Sequence, residues 1–211
     1  MEIIYLKQVD STHNYLKQYI KDNGYINPLA VVTTFQTNGI GSRNNSWEGR
    51  DGNLFFSFVI DKEKLPFDLP LSSASIYFSY ILKDILKKYG SKVWIKWPND
   101  FYIDNKKVGG TITTVSGNLL YCGIGLNLLK INNEFGYLDI IIDIKIILDD
   151  YFTQLLEFPS WKNIFSKFLL EFHLSKSFIT TIENKKVSLK DAILNDDGSL
   201  TINNKKVFGL R

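Results

Sequence analysis

Hydrophobic and polar positions alternate through residues 1–9, which predicts an opening β-strand. Asp10-Ser11-Thr12 interrupts the pattern with short oxygen-bearing side chains, and Ser11 or Thr12 can cap a helix reaching about Lys21. Residues 29–35 are a β-branched run and predict a second strand. Residues 37–51 hold Gly, Asn, Ser and Arg, with Ile40 and Trp47 as the large apolar side chains. Such a stretch predicts a long loop, and long loops in compact domains are usually functional or disordered. A mostly apolar strand follows at 53–60, then helical spacing over 70–89 that puts Phe78, Ile81, Leu82 and Ile85 on one face. Short strands at 93–97 and 101–103 flank the Pro98-Asn99 turn, and a turn at Asp104-Asn105 leads into strands at 108–115 and 119–128. Helical patterns occupy 140–157 and 161–172.

After Ser175 the texture changes to short strands at 178–182, 186–189, 192–194, 200–202 and 206–208, separated by polar turns. That spacing fits a small β-barrel-like appendage. The expected division is therefore residues 1–174 and 175–211, with a boundary near 173–176.

Composition excludes several classes without choosing one. A chain of 211 residues that is 45% hydrophobic and 14% aromatic buries a full core, which argues against disorder. Lys and Arg number 25 against 22 Asp and Glu, so no DNA partner is expected on electrostatic grounds. The basic residues between Lys83 and Lys92, interrupted by Asp84, and the pair Lys205-Lys206 read as solvated surface. Cys122 is the single cysteine, which rules out an internal disulfide and suits a reducing compartment. No basic region followed by an apolar run opens the chain, and the apolar stretch 138–148 carries Asp139, Asp143 and Lys145. A cytoplasmic protein with no membrane partner is the expectation.

The densest chemistry lies in Lys96-Trp97-Pro98-Asn99-Asp100 followed by Asp104-Asn105-Lys106-Lys107-Val108-Gly109-Gly110. Either piece alone is ordinary: Trp-Pro is a common strand exit and Lys-Lys a common hairpin decoration. Together they put a lysine just ahead of two glycines, at the start of a strand beside an Asn-Asp turn. Glycines admit a ligand close to the backbone, and a lysine there is a point charge suited to carboxylate or phosphate.

This long pattern resembles the signature of biotin protein ligases. Further segments match in the family's order: Asp10-Ser11-Thr12; Gln36 with Gly39-Ile40-Gly41-Ser42-Arg43 and Trp47; Gly52-Asn53-Leu54; and Gly123-Ile124-Gly125-Leu126-Asn127. The resemblance is close over residues 1–128 and rests on layout alone over 131–211. It implies an α+β fold, with a mixed, mainly antiparallel sheet packed with helices (a class II synthetase-like catalytic domain), followed by a small SH3-like β-domain.

The resemblance also implies an activity: ATP-dependent biotinylation of a lysine through a biotinyl-adenylate. The acceptor would be the biotin carboxyl carrier domain of a biotin-dependent carboxylase. Biotin would meet Ser11, Thr12, Gln36, Gly39, Ile40, Gly41, Ser42, Lys107 and Gly110; ATP would meet Arg43, Trp47, Lys96, Asn99 and Asn127. Lys107 and Arg43 are the expected catalytic residues, with Mg2+ accompanying the nucleotide and Asp100 a candidate ligand for it. Each has a plainer reading. Ser11 can be only a helix cap, Trp47 only an anchor for its loop, and Asn127 an ordinary turn residue.

Departures from the family pattern concentrate in the glycine loop. Ile40, Ser42 and Asn45 stand where relatives usually carry arginines, leaving Arg43 between the glycines and Trp47, with Arg50 beyond it. His13 stands where relatives often have Asn, and both His13 and His173 read as surface residues. The chain starts directly on the first catalytic strand, so a repressor arm is not expected. A monomer and a homodimer both remain open. The rival readings are a lipoate or octanoate ligase or transferase of the same fold, which would need an apolar tunnel, and a binding module without catalysis.

Overall fold

The computed structural model describes residues 1–41, 46–47, 51–130, 135–183 and 185–209. Its centre is a seven-stranded sheet in the order β1-β2-β5-β9-β8-β7-β6. The strands are β1 (Glu2–Leu6), β2 (Leu29–Thr33), β5 (Leu54–Asp61), β6 (Trp94–Lys96), β7 (Asp100–Ile103), β8 (Lys106–Ser116) and β9 (Leu119–Leu126). β1 pairs with β2 in parallel, and the remaining neighbours are antiparallel, so the sheet is mixed and mainly antiparallel as expected. The stretch expected to be plain loop contains a two-residue ladder, β3 (Gly39–Ile40) against β4 (Ser46–Trp47), which sets Gly39 opposite Trp47.

Both faces of the sheet are covered, which is why β5 and β9 read as nearly continuous apolar runs. On one face Phe56, Phe58, Leu120, Cys122 and Ile124 join the main core with helices α2 (Ala74–Lys88), α3 (Ile144–Leu156) and α4 (Trp161–Glu171). On the other, Val31, Val59 and Tyr121 pack against Leu16 and Ile20 of helix α1 (Thr12–Asn23). Ser11 is the N-cap of α1, its Oγ accepting from the Asn14 N–H, which leaves Thr12 free for other partners. Helix α3 begins four residues later than its pattern predicts, because Asp143 caps it by accepting from the Lys145 N–H at 2.7 Å.

A two-stranded sheet, β10 (Ile179–Ile182) with β11 (Lys185–Ser188), and a three-stranded one, β12 (Ile193–Leu194), β13 (Leu200–Ile202) and β14 (Lys205–Val207), end the fold. Leu189, Ala192, Leu194 and Leu200 belong to the same core cluster as the large sheet. The turn before β13 docks through three carbonyls. Asp196 O accepts from Trp161 Nε1, Asp197 O from Ser73 Oγ, and Gly198 O from Trp97 Nε1.

One surface expectation is corrected. Lys83 is 2% exposed, and its ammonium meets Glu171 at 2.7 Å, Asp84 at 3.1 Å and the Tyr80 hydroxyl at 2.8 Å. Burial of so long a side chain is tolerable here because its charge is paired and its three protons are directed. No helix among the described residues is long and apolar enough to cross a membrane.

Candidate functional site

The main cavity, of about 330 Å³, opens on the α1 face of the sheet. Its floor is β9, whose alternation sends Cys122 and Ile124 into the core and leaves Gly123 and Gly125 toward the opening. A Cβ on Gly125 would lie 3.1 Å from the Trp47 ring, and one on Gly123 would lie 3.1 Å from Ser57 Oγ. Side chains at either position would therefore fill the space a ligand needs.

Two clusters stand over these glycines, about 7 Å apart along the strand. The first is neutral. Gln36 Oε1 accepts from Thr12 N at 2.8 Å and from Thr12 Oγ1 at 3.1 Å, and Thr12 Oγ1 lies 2.8 Å from Ser57 Oγ. Thr12 has one hydroxyl proton, so when it goes to Gln36 the Ser57 hydroxyl donates to Thr12 and keeps its lone pairs for the cavity. Ser11, the α1 cap, lines the same end.

The second cluster is charged. Lys107 Nζ is 2.7 Å from Asp100 Oδ1, and Lys96 Nζ is 3.6 Å from Asp100 Oδ2. A bulge between β7 and β8 aims Lys107: Phe101 pairs with Gly109 but Tyr102 with Lys107, so Val108 is the extra residue. Val108 enters the core, and a Cβ on Gly109 would also point at core atoms of Phe101 and Leu126. Lys107 and Gly110, three residues apart, would lie on opposite faces of a regular strand. The bulge brings both to the cavity face. The indole of Trp47 completes this end, with the Lys107 ammonium 5.4 Å from its ring centre.

Of the expected site residues, Ser11, Thr12, Gln36, Ile40, Gly41, Trp47, Asn99, Asp100, Lys107, Gly110 and Asn127 all line this one cavity. Gly39 stands behind it, where a Cβ would meet Gln36 Nε2 and Trp47 O, both at 2.8 Å. Lys96 is also set back, buried between Asp100 and the rings of Tyr102 and Phe178. Ser42, Arg43 and Arg50 lie outside the described residues. Asn99 Nδ2 donates to Thr111 O and Asn127 Nδ2 to Gly136 O, whereas both amide Oδ1 atoms are buried without a partner among the described residues. Asp100, the expected magnesium ligand, has an oxygen turned to each lysine. Among the described residues no three Asp, Glu, His or Cys side chains gather as a metal set. Among the described residues, Asp100 therefore offers no ready-made set of carboxylates for a divalent ion.

Several lining residues escaped the sequence reading. Ser57 carried a signal, a lone hydroxyl within Phe-Phe-Ser-Phe-Val. Gly123 and Gly125 belonged to a recognised motif without being assigned a contact. His13 corrects an expectation: it is 4% exposed, not on the helix surface, and lines the cavity. Burial and the nearby Lys17 charge lower its pKa to about 4, so the ring is neutral near pH 7. His173 is exposed, as expected.

The family profile described as the biotin/lipoate A/B protein ligase family matches residues 5–128. The chain belongs to that family. Among its relatives, biotin–protein ligase 2 of Arabidopsis thaliana is 34% identical over 112 residues, covering 49% of this chain and 33% of that protein. The bifunctional ligase/repressor BirA of Escherichia coli is 28% identical over 130 residues, covering 58% of this chain and 39% of that protein. The chain thus aligns with well under half the length of these curated family members. Among solved structures, the biotin acetyl coenzyme A carboxylase synthetase of Helicobacter pylori with bound biotinylated ATP is 36% identical, with a TM-score of 0.93. That match covers 98% of this chain and 99% of the other. The biotin protein ligase of Aquifex aeolicus in complex with biotin and ATP has the same fold, with a TM-score of 0.76 at 21% identity over 98% of this chain and 94% of that one.

Proposed function

We propose that the chain is a biotin–protein ligase that makes biotinyl-adenylate from biotin and ATP and passes the biotinyl group to a lysine of an acceptor protein. The observation that carries this reading is the division of one cavity into a neutral hydrogen-bonding end and a lysine-bearing end, joined by a glycine floor. An uncharged bicyclic ureide complements Ser11, Thr12, Gln36 and Ser57. A lipoyl dithiolane offers no hydrogen bond to the lone pairs that Ser57 keeps for the cavity, which disfavours it. The Helicobacter pylori structure, with its bound biotinylated ATP, supports the same assignment.

In the first step a biotin carboxylate oxygen attacks the α-phosphorus of ATP, and pyrophosphate departs. Two unit negative charges 4 Å apart repel by about 4 kcal/mol at an effective dielectric near 20. The Lys107 ammonium offsets that repulsion and stabilises the charge developing between carboxylate and phosphate. Asp100 holds the ammonium at 2.7 Å, and Lys96 holds Asp100 from behind. Lys96 therefore acts on the nucleotide through Asp100. Arg43 of the glycine loop adds positive charge toward the phosphates, and Ile40 and Gly41 of the same loop line the cavity where biotin would sit. Trp47 stacks on adenine, and the Oδ1 atoms of Asn99 and Asn127 accept from its amine edge. Magnesium bound to the nucleotide would offset part of the triphosphate charge. In the second step the acceptor amine attacks the acyl carbon and AMP leaves. The amine proton passes to a base for which Asp100, the carboxylate lining the cavity among the described residues, is the candidate. A biotin carboxyl carrier domain is the proposed acceptor.

The test is a mass-shift assay offering the acceptor domain with ATP and either biotin or lipoate. Biotin alone should be transferred. Lys107→Ala should slow adenylate formation about 100-fold or more with an unchanged circular-dichroism spectrum, since that side chain is 30% exposed. Transfer of lipoate in preference to biotin, or an active Lys107→Ala, would overturn the reading.

A further inference from the structure

His13 is a buried polar group of the cavity that the proposed reaction leaves without a task. Its Nε2 lies 3.1 Å from Thr114 Oγ1 of β8, while its Nδ1 is buried and has no hydrogen-bond partner among the described residues. An unpaired buried nitrogen is costly to a folded protein unless something else satisfies it. Its position is informative. The point where a Cβ of Gly123 would stand is 3.3 Å from His13 Nδ1 and 3.1 Å from Ser57 Oγ. Both atoms therefore border the gap that this glycine leaves in the floor, and both residues line the cavity at its neutral end.

The chemistry of the two atoms agrees. With Nε2–H donating to Thr114 Oγ1, Nδ1 carries a lone pair and is an acceptor. Ser57 Oγ, having given its proton toward Thr12, also presents lone pairs. A ligand group for this gap must bring N–H donors, and a cyclic ureide has two. We propose that His13 is a specificity-determining residue whose Nδ1 accepts a hydrogen bond from a ureido N–H of biotin. This rests on reading the cavity as a biotin site and adds a contact to it. The lowered pKa keeps the ring an acceptor across the neutral range. A dithiolane has no N–H and would leave Nδ1 unpaired, so the same residue selects against lipoate.

The experiment is calorimetric titration of the full chain with biotin and with desthiobiotin, which keeps the ureido N–H groups but lacks the sulfur. Wild-type protein that fails to bind biotin would sink the proposed function itself, before any variant is compared. Given wild-type binding, His13→Phe, which keeps the ring and loses the acceptor, should weaken both ligands about tenfold. Unchanged affinity, or a loss confined to biotin, would overturn the contact. In protein carrying 15N-labelled histidine, biotin should move the Nδ1 resonance of His13 more than its Nε2 resonance. This second measurement needs no variant, and an unmoved Nδ1 would equally overturn the proposal.

Discussion

At the scale of single residues, His13 couples the site to stability. Its folded pKa of about 4 lies below the ordinary histidine value of 6.5, chiefly because burial disfavours the charged ring and secondarily because Lys17 is close. Between those values the unfolded chain binds a proton that the native protein does not, so stability falls as pH drops from about 6.5 toward 4 and this contribution levels off below that. The shift corresponds to about 3 kcal/mol in full. Urea denaturation at pH 7.5 and 4.5 should therefore show a smaller acid loss for His13→Asn than for wild type. Equal losses would mean the ring is protonated in place. Lys107 and Asp100 show the complementary case, two opposite charges kept half-hidden beside an indole, where each fixes the other's position.

At the scale of elements, the β7–β8 bulge is what turns a lysine-glycine string into a site. It sorts neighbouring glycines into unlike roles. A Cβ on Gly109 would come within 2.6 Å of the Gly125 carbonyl, which belongs to the sheet backbone and cannot step aside. Gly109→Ala is expected to cost about 1–3 kcal/mol in urea denaturation. A Cβ on Gly110 would meet Asp100 Oδ1 at 3.4 Å and Lys107 Cε at 3.6 Å, ordinary contacts on the cavity side. Gly110→Ala should hold its stability within about 1 kcal/mol and weaken ligand binding instead. If the two variants exchanged these phenotypes, the bulge register would be wrong. The glycine-glycine pair was legible in the sequence, but which glycine serves the sheet and which the ligand was not, because a bulge leaves no mark on composition.

At the scale of the whole molecule, the terminal strands are tied into the body. The carbonyls of Asp196, Asp197 and Gly198 accept from Trp161, Ser73 and Trp97, and one apolar cluster runs from β5 to Leu200. Residues 175–211 remain our proposed second unit by their short strands, but they share the first unit's core. Thermal unfolding followed by tryptophan fluorescence and by far-ultraviolet circular dichroism should give coincident single transitions. A separate earlier transition in fluorescence would show the terminal strands melting on their own. Trp97, within the most recognisable motif of the chain, thus serves this docking, while its neighbours Asn99 and Asp100 serve the cavity.

Periodicity along the chain determined the order of strands and helices, including the helices over 70–89 and 161–172, while the resemblance to biotin protein ligases implied the mixed sheet and grouped Lys107, Asp100, Asn99, Gln36 and Thr12 as one candidate site. These follow from periodicity and from long motifs, which survive in one dimension. Tertiary structure decided what depends on distant segments meeting. His13 and Lys83 look like surface residues in the sequence and are buried by partners 101 and 88 positions away. Ser57 becomes polar lining only where α1 crosses β5, and Lys107 faces the cavity only through a register shift. Burial and direction are properties of the packed chain, and the hydrophobic pattern along it carries no record of which neighbours will arrive.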